Sequence, residues 1–87
     1  MSGYQPLFTA ADQFIALANE LAQQDRSGTV GAALRYAAAR YSAFEASTGN
    51  ADLSVVRAQT VAAVVEDFRK MLEHNVDDYQ RRLGTGR

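Results

Sequence analysis

The chain has no cysteine and no tryptophan, one proline, one histidine and almost no net charge. Without cysteine there are no disulfides, no thiolate metal sites and no cysteine nucleophile. The fold must then rest on its apolar contacts, which suits a reducing compartment. A single histidine cannot complete a zinc centre with a second imidazole. Nine Lys+Arg against ten Asp+Glu leave a formal charge of −1, far from the basic surface that phosphate-backbone binding needs, so no nucleic-acid partner is expected. No window approaches the ~18 apolar residues of a membrane span. The start, Met1-Ser2-Gly3-Tyr4-Gln5-Pro6, lacks the basic and apolar stretches of a signal peptide. No membrane partner and a cytoplasmic location are the resulting expectations. No glycine loop fit to cradle phosphate occurs, and no glycine-framed nucleophile turn.

What remains is a short chain of 87 residues, 47% hydrophobic and 22% charged, which reads as one helical domain over 1–87. Periodicity of the apolar residues divides it into three helices, and no strand alternation competes. Helix one is expected over about 10–24, opened by a weak capping box from Thr9 to Asp12. Phe14, Ile15, Leu17, Ala18, Leu21 and Ala22 share one face, with Gln13, Asn19, Glu20, Gln23 and Gln24 opposite. Asp25-Arg26-Ser27-Gly28 is a turn, and Ser27 or Thr29 supplies a capping oxygen. Helix two follows over about 29–47, with the stripe Val30, Leu34, Ala37, Tyr41 and Phe44 among many alanines. Those alanines favour helix and permit close backbone approach. Gly49 is placed to end it in the left-handed conformation. Asn50 or Asp52 caps helix three, expected over about 53–83. Glu66 with Lys70, and Asp77 with Arg81, are acid-first pairs four residues apart. The tails, 1–8 and 84–87, are expected to be loosely held.

Helix three spans ~45 Å at 1.5 Å per residue, whereas a compact globule of this chain length is ~31 Å across. The helix must kink, project into water, or pack on another protomer. Val76, Tyr79 and Leu83 carry its apolar stripe into the overhang, which disfavours water. Read as heptads, Val61, Phe68 and Asn75 occupy one seam position and Val65, Leu72 and Tyr79 the other. A homodimer is therefore expected, assembling a helical bundle, with Val61, Val65, Phe68, Leu72, Asn75, Tyr79 and Leu83 at its interface. An asparagine at such a seam sets register in some helix pairs; elsewhere it faces solvent or bonds locally.

Few residues suggest chemistry. His74 and Asp78 lie four apart on one helical face and form at most half of a metal site; the plainer reading is a solvated charged face. Glu-x-x-His spacing, as in di-iron bundles, would need a glutamate where Met71 stands. Arg35, Arg40, Arg57, Arg81 and Arg82 suit an anion site if the fold gathers them, and Tyr36 is four residues before Arg40, within reach of stacking. More commonly such arginines pair with carboxylates such as Glu20, Glu45 or Asp67. Ser42 and Ser47 share no helix with the one histidine, Thr60 is fourteen residues from it along helix three, and all three are read as bonding back to backbone. The aromatic residues at helical spacing are core candidates before they are pocket walls.

Three blocks carry a resemblance: Asp12-Gln13-Phe14-Ile15-Ala16-Leu17-Ala18-Asn19-Glu20, then Tyr36-Ala37-Ala38-Ala39-Arg40-Tyr41-Ser42-Ala43-Phe44, then Phe68-Arg69-Lys70-Met71-Leu72-Glu73-His74-Asn75-Val76-Asp77-Asp78-Tyr79. In order and spacing they resemble a family of short bacterial proteins catalogued only as a domain of unknown function. The resemblance implies an all-helical protein and supplies no activity, cofactor or catalytic residue. It draws attention to the polar positions Asp12, Asn19, Glu20, Arg40, Asn75 and Asp78. Should Asn19 and Glu20 approach Arg40, they form either a structural polar network or, with Tyr36, a small-ligand site. The expected function is a non-enzymatic interaction or regulatory module with a protein partner, working as a homodimer without a cofactor. The alternative is a small-molecule or metal-binding protein using the polar residues between helices.

Overall fold

The computed structural model describes residues 5–49 and 52–84. They form three helices, α1 (Gln5–Gln24), α2 (Thr29–Ser47) and α3 (Leu53–Gly84), with no strand among the described residues. The protein is all-α, and its C-terminal helix is the longest, unbroken over 32 residues.

The helix boundaries follow from local chemistry. α1 begins at Gln5 rather than near Ala10, so the capping box expected at Thr9 and Asp12 lies inside the helix. Pro6 falls in the first turn, where a missing N–H costs nothing and the fixed φ is already helical. Leu7 then extends the series Leu7, Phe14, Leu21 at seven-residue spacing, which gives the extra turns an apolar side. The segment 5–8, expected as tail, is thus helical.

Between α1 and α2 the Asp25 amide still donates to the Leu21 carbonyl at 3.0 Å. The Asp25 carboxylate then accepts the Ser27 amide at 3.0 Å. Ser27 Oγ accepts the Thr29 amide at 3.3 Å and lies 2.7 Å from Thr29 Oγ1, so both candidate caps take part. Gly28 has φ of 92°, a conformation that side chains disfavour, and it turns the chain into α2.

The end of α2 differs from expectation, since Gly49 does not adopt the left-handed conformation. Its amide donates to the Ala46 carbonyl at 3.3 Å, and that of Thr48 to Glu45 at 3.2 Å, which tightens the last turn. The hydroxyls of Ser47 and Thr48 donate to the Phe44 and Glu45 carbonyls, each at 2.7 Å. With those carbonyls satisfied by hydroxyls, no glycine cap is required.

α3 is opened by Asp52; its carboxylate accepts the Ser54 amide and the Ser54 hydroxyl, each at 2.8 Å. The Asp52 carbonyl accepts the amides of Val55 and Val56 at 2.9 and 3.1 Å. The other candidate cap, Asn50, lies outside the described residues.

The chain divides into two compact units, 1–41 and 42–87. In the first, α1 and most of α2 make a helical hairpin whose least exposed residues are Ala18 and Val30. In the second, the last turns of α2 accompany α3, and Ser42, Ala46, Val56, Thr60 and Asp78 are half-buried. The least exposed positions on α1 and α2 are mostly small residues, as expected where backbones come close. None of the described residues is buried. The aromatic residues expected in a core remain open to water, Phe14 at 61% and Phe44 at 56% exposure.

Candidate functional site

On α3 the apolar residues Val61, Val64, Val65, Phe68, Met71, Leu72, Val76, Tyr79 and Leu83 are all exposed. They recur at three- and four-residue spacing and so run along one side of the helix. Every apolar residue assigned to the interface from the heptad pattern belongs to this set. Asn75, the polar seam residue, donates its side-chain amide to the Met71 carbonyl at 2.8 Å. It is engaged with its own helix, the local bond open to asparagine in mid-helix.

Ion pairs flank the stripe along the helix. Arg69 Nε and Nη2 donate to Glu66 Oε1 and Oε2 at 3.0 and 2.6 Å, and Nη1 donates to Glu73 Oε2 at 2.6 Å. The expected partner of Glu66 was Lys70. The planar guanidinium takes both carboxylate oxygens at once, which an ammonium cannot, so Arg69 wins the contact. The Arg69 hydrogen bonds lower the Glu66 pKa, while Glu66 first and Glu73 second raise that of Arg69. All three side chains are about half exposed, and such pairs rigidify a surface more than they stabilise a fold.

Farther along, Asp78 rather than Asp77 holds the arginines, with Arg82 Nε at 3.1 Å and Arg81 Nη2 at 3.6 Å. The Arg82 guanidinium also lies 5.9 Å from the centre of the Tyr79 ring, within cation–π range. These contacts describe the surroundings of His74 and Asp78. Both Asp78 oxygens are turned to arginines, and His74 stands on an exposed face. No group of three or more His, Asp or Glu side chains that could hold a metal occurs among the described residues. The ion pairs seen among the described residues use Glu66, Glu73 and Asp78, and none of them uses Glu20, Glu45 or Asp67.

Two of the clefts among the described residues run along the hairpin of the first unit. The larger, about 500 Å³, is lined by Phe14, Leu17, Ala18, Leu21, Val30, Ala33, Leu34 and Ala37, with Gln24, Asp25 and Thr29 at one end. It is an open apolar groove. The smaller, about 380 Å³, is lined in part by Asn19, Asp25 and Arg26. Of the residues considered for ligand binding, Asn19 borders the smaller cleft. Glu20, Tyr36 and Arg40 line neither cleft and are exposed. No stacking contact between Tyr36 and Arg40 occurs among the described residues, whereas Arg82 lies over a ring. Arg35 and Arg40 belong to the first unit, and Arg57, Arg81 and Arg82 to the second.

The other shifted acids serve caps. Hydrogen bonds from the Ser27 side chain and amide hold the Asp25 carboxyl below its ordinary range. Those from Ser54 do the same for Asp52. Sequence reasoning missed the groove, although its lining could have been found by pairing the stripes of helices one and two across the Asp25–Gly28 turn.

The family model described as "Protein of unknown function (DUF3144)" matches residues 7–80. That span contains all three sequence blocks singled out above. No curated protein and no solved structure matches the chain. Among the described residues no helix is long and apolar enough to cross a membrane.

Proposed function

Because the chain belongs to the DUF3144 family, whose description names no activity, its role must be read from its surface, and we propose a non-enzymatic helical interaction module that works as a homodimer. In this reading the apolar side of α3 is the contact surface, with Val61, Val65, Phe68, Leu72, Tyr79 and Leu83 as its anchors. The observation that carries it is the absence of any buried side chain among the described residues, while twenty-one large apolar ones stand exposed. Apolar surface on this scale is the usual mark of an association site. An 87-residue chain has too little core to leave it uncovered without loss of stability.

The charged side of α3 supports the same division of labour. Glu66, Glu73 and Asp78 are paired with Arg69, Arg81 and Arg82, so they present solvated charge rather than an open catalytic constellation. The shifted acids are caps or an ion pair, each with its cause in a neighbouring side chain. We place the protein in the cytoplasm within this proposal, in keeping with a chain free of cysteine. The test is the mass in solution by sedimentation or light scattering at micromolar concentration. Twice the chain mass supports the proposal, and a single-chain mass overturns it.

A further inference from the structure

We infer that α3 pairs with α3 of the second copy in the antiparallel sense, in the register that sets Val65 of each copy against Phe68 of the other. The inference rests on the reading above that two copies associate through the apolar side of α3. All the residues concerned lie on that one unbroken helix.

Val61, Phe68, Asn75 and Arg82 recur at one seam position, and Ala58, Val65, Leu72 and Tyr79 at the other. The half-buried Val56 and Thr60 fall at neither position, and the large apolar seam residues stand exposed. In a parallel pair each seam residue meets its own kind. Asn75 would face Asn75, although its side-chain amide is already given to the Met71 carbonyl. Arg82, beside the seam with its Nε 3.1 Å from Asp78, would face Arg82. The flanks would set Val64 against Arg69 and Asp78 against Leu83. Like charges and amides without a cross-helix partner oppose such a seam.

Reversing one helix makes each seam position meet the other. With Val65 opposite Phe68, Val61 falls opposite Leu72, Ala58 opposite Asn75 and Ser54 opposite Tyr79. Large residues of the C-terminal half thereby meet small residues of the N-terminal half, which lets the backbones stay evenly spaced. Opposite Ala58, Asn75 keeps its bond to Met71. Opposite Ser54, the Tyr79 ring has room for the Arg82 guanidinium that lies 5.9 Å from its centre.

The flanks match in the same register. Reversal brings flanking positions of one kind together, so Val64 meets Met71, Val55 meets Val76, and Arg57 meets Asp78. The first two pairs are apolar and exposed in the single chain, Val55 at 76%. The third joins opposite charges, and Arg57 takes part in no ion pair among the described residues. A slip of one heptad loses the match in either direction. One slip sets Arg69 against Arg69; the other puts Leu72 opposite Ser54 and carries Tyr79 past the start of the second helix. Complementary size and charge in a single register therefore select this pairing.

The chain has no cysteine, so a single introduced cysteine forms a disulfide only with another copy. Copies carrying Val61→Cys are mixed with copies carrying Leu72→Cys at a concentration where sedimentation shows dimers, allowed to exchange, oxidised, and resolved by mass spectrometry. Antiparallel pairing sets these two positions together and holds like positions about 16 Å apart along the axis. Mixed disulfide well above the statistical half of the linked product is expected. Val64→Cys with Met71→Cys repeats the test on the flank, where the seam is less disturbed, and circular dichroism confirms that each variant folds. Val61 and Leu72 variants that link chiefly to themselves overturn the inference and establish a parallel pair. A statistical mixture, or no mixed product from either dimeric mixture, also overturns it. A single-chain mass for the unsubstituted protein overturns the underlying proposal as well, so the two failures are distinguishable.

Discussion

Replacing Leu72 with alanine shortens one anchor of the α3 stripe without weakening the helix, since alanine is the better helix former. Full burial of a leucine side chain contributes about 1.5–3 kcal/mol. Leu72 is 50% exposed, so the part that a partner can still cover contributes about 1 kcal/mol per copy. In a two-fold assembly the change occurs twice, for about 2 kcal/mol, or a ~30-fold rise in dissociation constant. Sedimentation equilibrium over a concentration series measures that constant directly. Circular dichroism on the same samples shows whether helix content is kept. Lys70→Ala, on the charged side of α3, serves as the control and leaves the constant unchanged. A Leu72→Ala dissociation constant within threefold of the original would refute the reasoning. So would equal losses in the two variants, because the effect would then not belong to the apolar side.

Further outcomes follow from the turns and caps. Gly28→Ala lowers stability by about 1–2 kcal/mol in urea unfolding, since φ is 92° and nothing within 4 Å of a new Cβ interferes. Gly31→Ala, inside α2 with its Cβ in ordinary contact with Arg35, raises stability by about 0.5–1 kcal/mol; equal signs for the two would contradict the backbone assignment. Asp25, Asp52 and Glu66 have folded pKa values below their ordinary ones. Their contribution is therefore complete above about pH 5 and is lost as pH falls through the folded values. Thermal midpoints should decline below about pH 4, less steeply in Asp52→Asn; a flat profile from pH 5 to 2 would rule this out. Asn75→Leu should tighten association without changing the number of copies, because Asn75 bonds within its own helix; a change of oligomer order by light scattering would show that it sets register after all.

Much of the fold was legible because its determinants are local. The three- and four-residue spacing of Phe14, Leu17 and Leu21, and of Val61, Val65, Phe68 and Leu72, marks helix wherever it stands. Ser27, Thr29 and Asp52 announce helix starts by chemistry that acts across two or three residues. The start of α1 was harder to read, since Pro6 is compatible both with a tail and with a first helical turn. The candidate sites were less legible still. The sequence allowed His74 or an arginine to hold Asp78, and it allowed Lys70 or Arg69 to hold Glu66. Competing partners within one helical turn are separated by side-chain geometry, and a residue string does not contain that geometry.

The sequence by itself determined an all-helical chain in three segments, with an apolar stripe along each and no cysteine to staple them. Periodicity and capping act between neighbours, and neighbours are what a sequence records. Only the tertiary structure decided that Arg69 bridges Glu66 and Glu73, that Gly28 and not Gly49 takes the positive φ, and that the α1–α2 hairpin carries an apolar groove. It also decided that the apolar stripes stay uncovered. Burial depends on what other helices bring to a face, and that is a property of the packed chain, not of the order of residues along it.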